Sequence, residues 1–146
     1  MKRIIYTRSD GGVSVVIPVI SLNDPKEFTE DDALARATSR LPIDAINPQV
    51  VEANQIPADR SFRNAWNHDG VSISVDLPKA REITKERLRM ERAPKLVALD
   101  VEFMWAIEQS DAAAQNTIAA QKQTLRDITQ FADTAQSLEE LKALKI

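Results

Sequence analysis

The sequence lacks the residues that build covalent and metal-bound centres. It contains no cysteine, so disulfides, iron–sulfur clusters and thiolate zinc sites are excluded, and a reducing compartment is compatible with the chain. It contains one histidine, His68, in an Asn-His-Asp-Gly turn without a second ligand at helical or strand spacing. We therefore expect no metal site, no cofactor and no catalytic triad, and we expect His68 to be a solvated turn residue.

Aromatic residues, net charge and long apolar runs are also scarce. Aromatic residues make up 5% of the chain and apolar residues 43%, so we expect a mainly aliphatic core. A formal net charge of −3 gives no global attraction to nucleic acid or anionic lipid. No apolar run reaches the roughly 20 residues that span a bilayer, and Met1–Tyr6 has the charge but not the apolar region of a signal peptide. We expect no membrane partner, and a protein that stays where it is made.

Short β-prone segments dominate residues 1–75. They are Arg3–Thr7, Val13–Ile20, Gln49–Ala53 and Val71–Val75. The first two flank the Asp10–Gly12 turn, which predicts a β-hairpin, and Pro18 places its second strand at a sheet edge or bends it. Thr29 followed by three acids predicts the start of a helix, because a hydroxyl cap and negative charge stabilise a helix N-terminus. This explanation of the acids is favoured over a metal site.

Apolar residues at helical spacing organise residues 76–146. One stripe is Leu96, Leu99, Phe103 and Ile107, with Val97, Val101 and Met104 beside it; the other is Ala114, Ile118, Leu125 and Ile128. Neither stripe can be buried alone, which predicts an antiparallel helical hairpin. Pro94 is expected to break or kink the first arm, or to start a new helix. Ser137–Glu140 is a capping box, which predicts a short C-terminal helix over the open end of the hairpin.

The predicted fold class is therefore α+β. Residues 1–75 form a small antiparallel β-rich head with one helix. Residues 76–146 form a helical hairpin followed by a short helix.

Four residues of the head are candidates for partner binding. Arg60 and Arg63 flank Phe62, an arrangement that can stack bases or hold a phosphate. Phe62 and Trp66 stand four apart, and the favoured interpretation is that they anchor a loop or a single helical turn to the core. Arg60, Phe62, Arg63 and Trp66 are kept as candidates on the first interpretation.

The helical part adds four candidates. Trp105 adjoins the first apolar stripe; an exposed Trp105 would mark a partner contact, and a packed one the edge of the core. Lys122 and Arg126 face away from the second stripe and offer a polar recognition surface, with an Arg126–Asp100 ion pair inside the hairpin as the favoured alternative. Ile83 lies in the segment 77–90, whose thin stripe and mixed charges predict a homo-oligomer contact, or docking onto a larger assembly.

Residues 79–95 carry seven basic and three acidic side chains, a local balance of +4. A nucleic-acid-binding stripe is one interpretation. Charges of both signs alternate at helical spacing, which favours an ordinary exposed helix. Nucleic acid is therefore disfavoured as a partner.

Several stretches resemble small proteins encoded among the virion genes of tailed bacteriophages. They are Asp59–Trp66, Val75–Ile83, Arg89–Pro94 continuing to Leu99–Met104, and Lys122–Thr129. The last contains Leu125-Arg126-Asp127 and is similar to an element near the end of phage tail-assembly-chaperone and tail-fibre-associated proteins. The resemblance covers roughly half of the chain and implies binding to other virion proteins.

The sequence suggests three possible functions. The leading one is a phage structural or assembly protein at the tail or its fibres, located in the virion or in the host cytoplasm during assembly. The alternative is a small phage-encoded regulator that binds nucleic acid or a host factor through Arg60, Arg63 and the basic residues of 79–95. An enzyme is disfavoured, because the sequence shows no nucleophile–base, metal or phosphate constellation.

Overall fold

The computed structural model describes residues 1–146 and divides them into two compact units, Met1–Asp76 and Leu77–Ile146. The first unit holds all five strands, one α-helix and two short 3₁₀ helices, and the second contains three α-helices and no strand. The α+β class is therefore confirmed, with antiparallel strands at the N-terminus and a helical hairpin after them. The division falls within one residue of the predicted boundary.

A three-stranded antiparallel sheet forms the centre of the first unit. Strands β1 (Lys2–Thr7), β2 (Val13–Val16) and β3 (Ile46–Glu52) lie in the order β2-β1-β3. The central strand β1 buries three consecutive side chains, Ile4, Ile5 and Tyr6. The predicted hairpin is confirmed, because Thr7 pairs with Val13 across a turn in which Gly11 has a φ of +79°.

Two of the predicted strands are shorter than expected. Strand β2 ends at Val16 rather than at residue 20, two residues before Pro18, and it lies at the sheet edge where a proline without an amide hydrogen is tolerated. The last strand, β5 (Ile73–Val75), pairs with β4 (Trp66–His68) in a separate two-stranded ladder. The β4 residues had been assigned to a loop and a turn.

Helix α1 (Glu30–Thr38) begins as the sequence predicts. The Thr29 hydroxyl accepts a hydrogen bond from the Asp32 amide at 3.2 Å, and the Asp32 carboxylate accepts one from the Thr29 amide at 2.8 Å. The other two acids contact β1: Glu30 accepts from the Lys2 amide at 2.7 Å, and Asp31 pairs with the Lys2 ammonium at 2.8 Å. The capping interpretation of the acids is confirmed.

Three helices form the second unit. They are α2 (Leu77–Glu108), α3 (Ala112–Thr134) and α4 (Leu138–Ala143). Asp111 caps α3 by accepting from the Ala114 amide at 2.9 Å, and Ser137 caps α4 by accepting from the Glu140 amide at 3.2 Å. The predicted break at Pro94 is wrong, because α2 runs through it. A proline removes one backbone hydrogen bond, and α2 packs on α3 both before and after this position.

The first half of α2 packs within its own unit. Leu88 is fully buried, as is Leu141 of α4, and the Arg87 guanidinium donates to the Leu144 carbonyl at 2.8 Å. Arg81 donates to the Ala135 carbonyl at 2.7 Å. The expected position of α4 is confirmed. Residues 77–90 pack on α4 and the end of α3, so the premise that only the head or another copy could cover them is wrong. The association through this segment stays a prediction.

Candidate functional site

One side of α2 carries large apolar side chains that are exposed to solvent. Their exposed fractions run from 46% to 64%: Met90, Val97, Val101, Met104 and Trp105. Pro94 lies between the first two and is exposed as well. Steps of three and four residues keep neighbouring side chains on one side of a helix. We call these six residues the outer face of α2.

The outer face lies opposite α3. Leu96, Leu99 and Phe103 are half-buried on the side that meets α3, and Ala106 is buried there. Contacts along the hairpin place α3 on that side: the Arg92 guanidinium donates to the Arg126 carbonyl at 2.7 Å, and the Gln115 side-chain Nε2 donates to the Ala106 carbonyl at 3.2 Å. The predicted stripe is thus correct for its first three residues, whereas Ile107 is 46% exposed.

The size and composition of the outer face suit a protein contact. From Met90 to Trp105 the helix rises about 22 Å, or roughly four turns. Methionine adapts its shape to a partner, and tryptophan is enriched among the residues that dominate binding energy. A row of exposed apolar side chains on a folded chain marks an interaction surface.

Charge is segregated along α2. Residues 79–95 carry seven basic and three acidic side chains, whereas residues 96–111 carry four acidic side chains and no basic one. The acids are Asp100, Glu102, Glu108 and Asp111. Arg87 precedes the outer face on the same side of the helix, and Glu108 follows it.

Most of the basic side chains in residues 79–95 have partners inside the second unit. Lys85 pairs with Asp133 at 2.6 Å and with Glu82 at 2.5 Å, and these hydrogen bonds raise the pKa of Lys85. Arg89 pairs with Glu86 at 3.2 Å. Arg81, Arg87 and Arg92 donate to backbone carbonyls. These contacts give five of the seven basic side chains a partner in the same unit, and they turn Arg81, Lys85 and Arg92 toward α3 and the chain segment after it.

The four candidates in the head separate into two pairs. Phe62 and Trp66 are 7% and 1% exposed, so they are core anchors, as the favoured interpretation held, and are not surface contacts. The interpretation of Phe62 and Trp66 as partner-binding residues is therefore corrected. Arg60 and Arg63 are exposed, and Arg60 lines a groove with Arg3.

His68 is buried rather than solvated, which corrects the expectation for this residue. It lies on β4 two residues after Trp66, and the alternation of a strand puts both side chains on the buried side. Its Nε2 lies 3.4 Å from the Gln49 side-chain oxygen. Asp69, not His68, makes the turn: its carboxylate accepts from the amides of Val71 and Ser72 at 2.8 Å, which lowers the pKa of Asp69.

The predicted ion pair inside the hairpin has a different partner. Asp100 pairs with Lys122 at 2.5 Å, whereas Arg126 lies about one turn farther along α3 and its side chain is exposed. Lys122 therefore belongs to the hairpin and not to a free recognition surface. Ile83 is half-buried and Trp105 is exposed, so Trp105 fits the partner-contact interpretation.

Sequence reasoning missed most of the outer face. Val97, Val101 and Met104 had been placed beside the buried stripe, and Met90 had been assigned to the thin stripe of residues 77–90. The signal was present as alternating steps of four and three from Met90 through Pro94 to Met104. A helix with two apolar sides has to expose one of them when a single helix packs against it.

Comparison with known proteins finds no matching family model, no similar curated protein and no similar solved structure. None of the helices has a stretch long and apolar enough to lie across a membrane. The outer face of α2 is the leading candidate site of the chain.

Proposed function

We propose that this chain is a bacteriophage structural or assembly protein that binds other virion proteins, at the tail or its fibres. The observation that supports the proposal is the outer face of α2, an exposed apolar surface on a packed helical hairpin. The stretches that resemble phage tail-assembly-chaperone and tail-fibre-associated proteins supply the phage context. The protein acts in the virion, or in the host cytoplasm during assembly.

The chemistry of binding at this surface is burial of apolar area. Covering exposed side chains contributes about 25 cal/mol per Å² of apolar surface, before the costs of association are subtracted. Trp105 offers the largest single area and is 58% exposed. A partner helix laid along the outer face would contact Val97, Val101 and Met104 in successive turns.

The contacts inside the second unit weaken the nucleic-acid alternative. A phosphate-binding stripe needs cations that are free to reach the backbone. Lys85 is held between two carboxylates, and Arg81 and Arg92 are directed at backbone carbonyls. Arg60 and Arg63 remain exposed, but two side chains give a small electrostatic footprint.

Deleting the gene from a phage or prophage that encodes the chain tests the proposal. We expect particles with missing or defective tails or fibres by electron microscopy, and recovery when the wild-type chain is supplied. Val101→Asp should fail to restore them, because it puts a charge in an apolar contact. Phe131→Asp is the matched control: Phe131 is 60% exposed but lies on α3.

Mass spectrometry of purified virions and of assembly intermediates provides the second measurement. The chain should be found in one or both. Two results together would overturn the proposed function. The deletion strain would give normal, fully infectious particles, and the chain would be found in neither fraction of the wild-type phage.

A further inference from the structure

The outer face of α2 is nearly symmetric about Val97. Met90 lies seven residues before Val97 and Met104 lies seven residues after it. Pro94 and Val101 lie three before and four after. If a second copy is turned end to end and laid against the first, Met90 comes opposite Met104 of that copy. Val97 then lies close to Val97 of the second copy.

Charge complementarity selects the same orientation. In an antiparallel pair, residues 79–95 of one copy, with a net charge of +4, lie alongside residues 96–111 of the other, with four acids and no base. Five of the basic side chains keep the partners that they have in their own chain, so the attraction is between the net charges of the two segments and needs no new ion pairs. Arg87 lies ten residues before Val97 and Glu108 eleven after it, so the two positions come level across the pair, while the Arg87 guanidinium stays bound to Glu91 at 3.0 Å and to the Leu144 carbonyl in its own chain. A parallel pair would set like charges side by side at both ends.

We propose that the outer face of α2 binds a second copy of this chain, with the two α2 helices antiparallel and centred near Val97. The alternating four- and three-residue steps are those of a coiled-coil seam, so two such faces can interlock over about four turns. The inference names the partner of the surface described above and rests on the proposed function only in treating that surface as a binding site. We favour it over the predicted contact through residues 77–90, since Leu88 and Ala80 of that segment are buried in their own unit.

Sedimentation of the full chain over a range of concentrations tests the association. We expect a dimer that dissociates on dilution and weakens as salt is added, because part of the attraction is between opposite charges. Val97→Asp brings two carboxylates together at the centre of the pair and should give monomers with an unchanged far-ultraviolet circular dichroism spectrum. Phe131→Asp should sediment as the wild type does.

Cysteine cross-linking tests the orientation and does not depend on Val97→Asp folding. The chain has no cysteine, so single substitutions report without background. In the antiparallel pair, two copies of residue 90 stand about 21 Å apart along the axis, far beyond the reach of a disulfide. Met90→Cys alone and Met104→Cys alone should therefore stay uncross-linked, whereas a mixture of the two should form a disulfide-linked dimer. Efficient cross-linking of Met90→Cys with itself would overturn the antiparallel arrangement.

The two proposals can fail separately. A wild-type chain that stays monomeric at high micromolar concentration rejects the second copy as partner. If Val101→Asp still fails to restore particles, the outer face serves a different virion protein and the proposed function stands. A dimer with the expected cross-links in a chain whose deletion leaves phage particles normal supports this inference and rejects the phage role.

Discussion

The ammonium group of Lys122 lies 2.5 Å from the carboxylate of Asp100 and 5.2 Å from the centre of the Phe103 ring. One side chain of α3 thus contacts a charge and an aromatic ring of α2. The Lys122 side chain is 16% exposed, whereas that of Asp100 is 59% exposed. The contact helps to set the alignment of the two long helices, and that alignment leaves the outer face of α2 in solvent.

We expect the Asp100–Lys122 pair to contribute little as a charge pair. A double-mutant cycle with Asp100→Ala and Lys122→Ala should give a coupling of about 0.5 kcal/mol that shrinks with added salt, because Asp100 is well solvated. Lys122→Ala alone should cost more, since its stem covers part of the hairpin. Arg126→Ala is the control and should show no coupling to Asp100. A coupling as large for Arg126 as for Lys122 would mean that the helices align differently.

Leu88 should matter more to stability than any residue of the outer face. It lies on α2 and is fully buried within the second unit, so Leu88→Ala should lower the free energy of unfolding by about 2–5 kcal/mol. Met90→Ala, two residues away and 64% exposed, should change it by about 0.5 kcal/mol or less at concentrations where the chain is monomeric. Urea denaturation followed by circular dichroism checks both. Equal losses would show that the two sides of α2 have been interchanged.

Pro94 should weaken the helix that contains it. It is exposed inside α2, where proline removes an intrahelical hydrogen bond, at a typical cost of about 3 kcal/mol. Pro94→Ala should therefore raise the free energy of unfolding of the second unit by about 1–3 kcal/mol. Thermal denaturation is the measurement. A decrease would mean that the proline stabilises a bend on which the packing of α2 depends.

The first unit should lose stability in acid through Asp24. Two hydrogen bonds from Arg36, at 2.6 and 3.0 Å, and one from the Ser21 amide at 2.6 Å lower the pKa of Asp24 below its ordinary value of 3.8. A carboxylate whose pKa is lower in the folded state than in the unfolded state stabilises the fold. The stabilisation is complete at pH above the unfolded-state pKa and is lost as the pH falls through the folded-state pKa. We expect the decline below pH 3.8 to be smaller in Asp24→Asn.

Fluorescence of the buried Trp66 reports on the first unit, with Trp105→Phe as the background to remove the second indole. Asp10, Asp32 and Asp69 also have lowered pKa values and contribute acid sensitivity of the same sign. The comparison with Asp24→Asn therefore isolates one carboxylate among four. Identical acid profiles for the two proteins would contradict the assignment.

Local patterns in the sequence predicted much of the fold. The Thr29 cap, the Asp10–Gly12 turn and the Ser137 cap depend on neighbours within four residues, and all are found. The hairpin followed from two apolar stripes that could not be buried alone. These features are set by the chain near each residue, so one sequence is enough to find them.

Two of the features that were missed depend on residues distant in sequence, and one is local. His68 is buried because Trp66–His68 pairs with Ile73–Val75 in a short hairpin, at a position that had been assigned to the turn. Pro94 stays helical because α3 supports α2 along its length. The choice of Lys122 over Arg126 as the partner of Asp100 depends on an alignment of helices that only the assembled hairpin specifies.

Quenching of Trp105 fluorescence by acrylamide, in a Trp66→Phe background, tests the central claim that the outer face is exposed in the single chain and covered on association. Trp105 is 58% exposed, so it should be quenched efficiently in nanomolar solution. Quenching should fall as the concentration rises into the range where the chain sediments as a dimer, and Val97→Asp should remove this protection. An indole that is shielded even in dilute solution, or equally quenched at every concentration, would contradict the account.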